Sequence, residues 1–269
     1  MKERFENLTE EESACLLPDG LVMLGYRGSI AHGTYLKPDN PNSVDDKDII
    51  GVFIAPLDHY FGASLFASRF RKDHHEAMIR EWDAVSYEFR KFVGLLANGN
   101  PNVMSMLWMN CGNFFFVKKP GTRLIENRHL FVTKRVFESF SGYARAQLEK
   151  MTSFTHEGYM GEKRKALVEK YGYDCKNAAH LIRLLRMGIE FLREGRLNVF
   201  REDAAELVEI KAGRWSLDKV KSEAARLFEE GEKACGECIF PVEPDMGAIN
   251  ELMLRILKEH FGMRTWPSS

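Results

Sequence analysis

The stretch Ile49-Ile50-Gly51-Val52-Phe53-Ile54 is apolar without alternation, and Asp45, Asp46, Lys47 and Asp48 lead into it. An unbroken apolar run bounded by polar residues reads as a buried strand, so the fold must hide this segment while leaving an acidic cluster at its mouth. Carboxylates packed that closely repel one another, and each costs free energy unless a cation or a hydrogen-bond donor compensates it. Residues two apart in a strand point to the same face, so Asp46 and Asp48 project together while Lys47 points away. That geometry suits a hard divalent cation, Mg²⁺ or Mn²⁺, with room left for water and phosphate oxygens. A lone DxD also describes a polar loop feeding a buried strand, with Asp45 or Asp46 capping a turn.

Around this strand the first half of the chain mixes short β-rich runs with helices. Leu21 to Tyr26 reads as a strand, Lys47 to Ala55 as a second, Arg80 to Ala84 as part of a third and Asn113 to Val117 as another. Ser86 to Ala97 has helical periodicity and stops at "NGNPN". From about Thr133 the texture changes to helical segments: Thr133 to Met151, Asp174 to Arg193, Glu202 to Ile210, Leu217 to Glu230 and Met246 to Phe261, with "CIFPV" as a weak strand signal. The expected organisation is a mixed-sheet α+β domain over residues 1–130 followed by an all-helical domain over 131–269.

Net charge is −1, so there is no global basic field of the kind that holds nonspecific duplex binders on DNA, and any nucleic-acid contact must be a local patch. The longest apolar stretches fall short of the roughly 20 residues of a membrane helix. The charged opening MKERFENLTEEESA has no apolar core and predicts no signal peptide. An odd number of scattered cysteines, 5, predicts a reducing, cytoplasmic setting. Cys235 and Cys238 form a single CxxC with no second pair to complete a zinc site.

In "GYRGSIAHGT" a strand ends at Arg27 and is followed by Gly28-Ser29 and residues able to start a helix. Free backbone N–H groups and a hydroxyl in such a turn can cradle a phosphate; the plain alternative is a strand-to-helix turn with Ser29 as N-cap. The order strand, Gly-Ser, helix, loop, DxD, apolar strand places the cradle beside the carboxylates. On a helix from Asp174 to Arg193, Lys176, His180 and Arg183 fall at i, i+4 and i+7 and form one basic stripe, with Leu181, Leu185, Ile189 and Leu192 opposite. Arg186 lies at the stripe's edge. Such a stripe is either a solvated face or a seat for an anion.

Together "GYRGSIAHGT", "DDKDIIGVFIAP", "DAVSYEFRKFV", "GNPNV" and "KYGYDCKNAAHLIRLLRMGIE" resemble the DNA polymerase β nucleotidyltransferase superfamily, and within it the RNA repair pathway DNA polymerase β family. The resemblance runs from about Leu21 to Val220. It implies a palm-like domain and a helical domain with the active site in the cleft between them. It also implies a third carboxylate just before the "SYEFRKF" helix, which is Asp83, with Glu81 on the same face as the alternative. Asp46, Asp48 and Asp83 are then the metal ligands and catalytic residues; Gly28, Ser29, Lys176, His180 and Arg183 bind the nucleotide. The implied reaction moves an NMP from an NTP, ATP favoured, to an acceptor hydroxyl with release of pyrophosphate. The acceptor is open between an RNA or tRNA end, a protein hydroxyl and a small hydroxyl compound. An antitoxin-like protein AMP transferase and a silent NTP-binding sensor are the rival readings.

The remaining features have plainer expectations. Phe114 to Phe116, Phe137 and Phe140 are read as core, His74-His75 as a charged surface loop, and Lys163-Arg164-Lys165 as a solvated helix start.

Overall fold

The computed structural model describes residues 7–61, 73–153 and 161–263. Five strands form one mixed sheet: β1 (Leu21–Tyr26), β2 (Lys47–Phe53), β3 (His74–Ile79), β4 (Trp82–Glu88) and β5 (Phe114–Val117), in the order β3-β4-β2-β1-β5. β2 pairs in parallel with β4, and the other neighbours are antiparallel. The first half also holds α1 (Glu10–Leu16), α2 (Gly28–Ala31), α3 (Leu57–Phe61), α4 (Phe89–Ala97), α5 (Pro101–Met104) and α6 (Lys119–Glu126). The second half is helical among its described residues: α7 (Arg135–Ser153), α8 (Glu162–Tyr171), α9 (Cys175–Glu194), α10 (Ala204–Lys211), α11 (Leu217–Glu237) and α12 (Met246–Phe261).

This is the expected α+β architecture, with β2 as the central strand. Ile49, Ile50, Val52 and Phe53 are all buried, as an apolar run flanked by strands on both sides must be. The core is continuous. One buried cluster joins Val22, Ile50 and Val52 of the sheet to Phe92 of α4, Phe140 of α7, Leu185 of α9 and Leu252 of α12. α9 packs against α7, α10 and α11, and α12 returns to α4 and α6.

Several expectations are corrected. His74 and His75 lie in β3, an edge strand whose exposed polar residues hide its alternation from periodicity. Arg80 and Glu81 are the two-residue turn between β3 and β4, and Arg80 takes a positive φ there. Ser86 to Glu88 belong to β4, because they pair with Gly51 to Phe53, and α4 starts only at Phe89, where the Glu88 carboxylate accepts from the backbone N–H groups of Arg90 and Lys91. Cys238 to Val242 form no strand. Phe137 and Phe140 are buried as expected, whereas Phe114 to Phe116 are half-buried.

Candidate active site

Parallel pairing of β2 and β4 sets Asp48 directly opposite Asp83, two carboxylates brought together from 35 residues apart in sequence. Arg27, at the end of β1, lies between them: its Nη2 donates to Asp83 Oδ2 at 2.8 Å and stands 3.6 Å from Asp48 Oδ1. Burial pushes the Asp48 carboxyl up to about 6 against the pull of Arg27 and Lys176, and the neighbouring Asp83 carboxylate adds to the rise. Asp46 stands one residue ahead of β2 and is half-buried. Among the described residues no three His, Cys, Asp or Glu side chains gather tightly enough to hold a metal, so of the expected triad the structure joins Asp48 and Asp83, with a guanidinium between them. Glu81 is taken by Lys47, whose Nζ lies 3.1 Å from Glu81 Oε1 and over the Trp82 ring.

Asp45 has a different role. Its side chain is only 1% exposed; one oxygen accepts from the Leu36 amide and from Lys211 Nζ, and the other lies 3.6 Å from Lys176 Nζ. Lys211 Nζ also donates to Thr34 O, Lys176 Nζ to Val44 O, Tyr171 Oη to Asn42 and Lys163 Nζ to Asn40 O. The loop that delivers Asp46 and Asp48 to β2 is thus fastened along its length to the helical half. Of the basic run, Lys165 pairs with Glu162, while Arg164 is an inward strut on the buried Asp174 and not a solvated residue.

The Gly-Ser turn differs from the plain N-cap alternative. α2 is a single turn whose N-cap is Arg27, not Ser29; the Ser29 hydroxyl is buried and has no hydrogen-bond partner among the described residues. Gly28 has φ +60°, and a Cβ there would collide with the Asp48 carboxylate. Glycine at this position therefore lets the turn and the carboxylate share one space.

Gly28, Ser29, Asp48, Lys176, His180 and Arg183 line a single cavity of about 190 Å³ between the sheet and α9. Sequence spacing found the stripe, but the charges on it are unequal. Burial holds His180 well below its ordinary pKa, and Arg183 and Lys176 depress it further, so it is neutral. Lys176 is committed to Val44 O and Asp45. Arg183 remains charged although burial, helped by Arg201, lowers it to about 10. It forms no ion pair with a described carboxylate; one Nη donates to His32 Nε2 at 2.8 Å and approaches Met187 Sδ at 3.3 Å. Arg186 faces elsewhere, bound to Asp203, Glu206 and Glu223.

Arg27, His32 and Lys211 are site residues that sequence reasoning missed. Arg27 and His32 flank the Gly-Ser motif, which was the available signal; Lys211 gave none, since a lysine ending a helix reads as solvated. A second, open cavity of about 460 Å³ adjoins the first through Arg27 and Asn102, running along Asp83, Val85, Tyr87, Glu76 and Met78.

Among curated proteins none matches the chain. The family model described as the RNA repair pathway DNA polymerase beta family matches residues 2–234, reaching further towards both ends than the motifs alone. With a Gly-Ser turn packed on paired strand carboxylates and a match over most of its length, the chain belongs to the RNA repair pathway DNA polymerase beta family, nucleotidyltransferases of the DNA polymerase beta type.

Proposed function

We propose that the protein transfers an NMP from an NTP, with ATP favoured, to an acceptor hydroxyl: a bond forms between the acceptor oxygen and the α-phosphorus, and the bond to pyrophosphate breaks. The observation that carries this reading is Arg183, a half-buried guanidinium without a described carboxylate partner, in the same cavity wall as the Ser29 hydroxyl, which has no partner among the described residues. A charge partly withdrawn from water is costly unless paired, and a phosphate would supply the missing counter-charge and accept from the hydroxyl. The cavity is smaller than the ~300–1,000 Å³ of sites that enclose a whole small molecule, which fits a string of phosphates with ribose and base outside.

Asp48 and Asp83, the two carboxylates joined across β2 and β4, offer only hard oxygen donors. Their side chains are 24% and 40% exposed for Asp48 and Asp83, leaving room for water in a coordination shell, so they fit Mg²⁺ or Mn²⁺. A divalent ion there would neutralise charge developing on the phosphates and make the acceptor hydroxyl more acidic. Arg183 and Ser29 orient the triphosphate. Asp83 borders the open second cavity, which supports an acceptor lying along β3 and β4 with the Asp83 carboxylate taking the hydroxyl proton. The family's description points to an RNA end as acceptor.

Incubation with labelled NTPs, Mg²⁺ and RNA, DNA or protein acceptors tests this; label is expected on RNA. Label on a protein would move the acceptor to a side-chain hydroxyl, and NTP binding without transfer would leave only a sensor. Calorimetry is expected to show NTP binding that weakens strongly in EDTA, because bare carboxylates repel a triphosphate; equal affinity with and without the cation would remove the metal. Arg183→Ala is expected to cost about 1.5–3 kcal/mol of NTP affinity, the range for hydrogen bonds to charged groups, and much less for the NMP.

A further inference from the structure

His32 lies five residues beyond Arg27, buried in the wall of the cavity, and both of its ring nitrogens are engaged. Nδ1 is 2.8 Å from Val199 O, and Nε2 is 2.8 Å from Arg183 Nη1. A carbonyl oxygen can only accept, so Nδ1 carries the proton and donates. In a neutral imidazole the other nitrogen is then an acceptor, which is what a guanidinium N–H requires. The two contacts specify one tautomer. Burial first, then the charge of Arg183, also hold this imidazole well below its ordinary pKa.

Val199 is itself fixed. It lies in the connection after α9, where Arg201 donates through two nitrogens to Glu190 of α9 and through Nε to Asp203, and the Arg201 amide donates to His32 O. The imidazole therefore spans from a braced backbone carbonyl to the guanidinium. With neither nitrogen free, His32 has no donor left for a phosphate.

We infer that His32 is a positioning residue: through the Val199 O···His32···Arg183 chain it aims the Arg183 guanidinium into the cavity and makes it selective for the triphosphate. This rests on the nucleotide reading above. An arginine side chain has many rotamers, and one without a described carboxylate partner gains much of its fixation from such a contact; fixing it before the ligand arrives removes that ordering cost from binding.

Two conservative substitutions separate this role from a merely structural one. An asparagine amide reaches about as far as Nδ1 and can keep the bond to Val199 O; a glutamine amide reaches about as far as Nε2 and can keep an acceptor for Arg183. NTP and NMP affinities are measured by calorimetry with Mg²⁺ for wild type, His32→Asn, His32→Gln and Arg183→Ala, and for His32→Asn combined with Arg183→Ala. His32→Asn is expected to lose about tenfold or more in NTP affinity, as for a hydrogen bond to a charged group, with little change for the NMP. His32→Gln is expected to stay within about threefold of wild type. In the Arg183→Ala background His32→Asn is expected to change nothing further, since the group it acts through is gone. The reverse order of the two variants, equal losses for NTP and NMP, or a full additional loss in that background would overturn the proposal. Should His32→Asn fail to fold, a loss of tenfold or more in His32→Gln overturns it alone. A wild type that binds no NTP overturns the nucleotide reading and this proposal together, whereas an Arg183→Ala loss with both His32 variants unchanged overturns only the positioning role.

Discussion

Replacing Asp48 by asparagine is expected to cut turnover about a thousandfold or more while the fold survives. On the proposed reading Asp48 would hold a divalent ion; the amide keeps the volume but not the anionic oxygens, and loss of such a ligand would remove several kcal/mol of transition-state stabilisation, at about 1.4 kcal/mol per factor of ten. Stability should move the other way. Asp48 is pushed up to about 6 mainly by burial, so its charged form is held at a cost in the folded state, and a neutral amide opposite Asp83 relieves both desolvation and repulsion. Steady-state transfer and a thermal melt of Asp48→Asn check the pair: activity gone with Tm held or raised. Undiminished turnover by the folded variant would remove Asp48 from the chemistry, and a collapsed Tm would show that its charge is structural.

Arg201→Met is expected to destabilise the fold by about 3 kcal/mol, the lower end of the range for breaking a buried pair. The Arg201 side chain is only 4% exposed; burial alone would lower its pKa, but Glu190 and Asp203 raise it above the usual arginine value. Removal leaves Glu190, among the described residues, with only a long contact to Asn198, while Asp203 keeps Arg186. That surviving partner places the loss at the lower end. Urea unfolding measures it, and adding Glu190→Leu should recover most of the loss, because the penalty belongs to the abandoned carboxylate. A single variant as stable as wild type would show the pair to be energetically idle.

The elements that carry the site were legible because each has its own local signal. Leu21–Tyr26 and Met246–Phe261 coincide with their expected limits, and β2 starts at the expected Lys47. Gly28, Ser29, Asp48 and the α9 stripe were readable from order and spacing, and all line one cavity. What periodicity did not carry was set by tertiary contacts. β3 is a polar edge strand, and Ser86 to Glu88 follow the sheet rather than the helix because β2 supplies their hydrogen bonds. Spacing gave the positions on α9 but not their charge states: His180 is neutral through burial, and Lys176 is spent on the loop at Val44. His32, Arg27 and Lys211 act on partners 151, 56 and 166 residues away, distances at which a sequence window has no information.

The buried cluster that runs unbroken from the sheet through α4 to α7, α9 and α12 limits how this enzyme moves. Paired domains joined by modest polar contacts swing by default, whereas a large apolar seam resists it. Parting the cleft by a hinge would draw side chains such as Phe92 and Phe140 into water, at about 1.5–3 kcal/mol for each large apolar side chain exposed. The molecule behaves as a vice whose jaws were set when the chain folded. On the proposed reading, passage of ligands in and out of the cavity would fall to side chains at its rim rather than to a hinge.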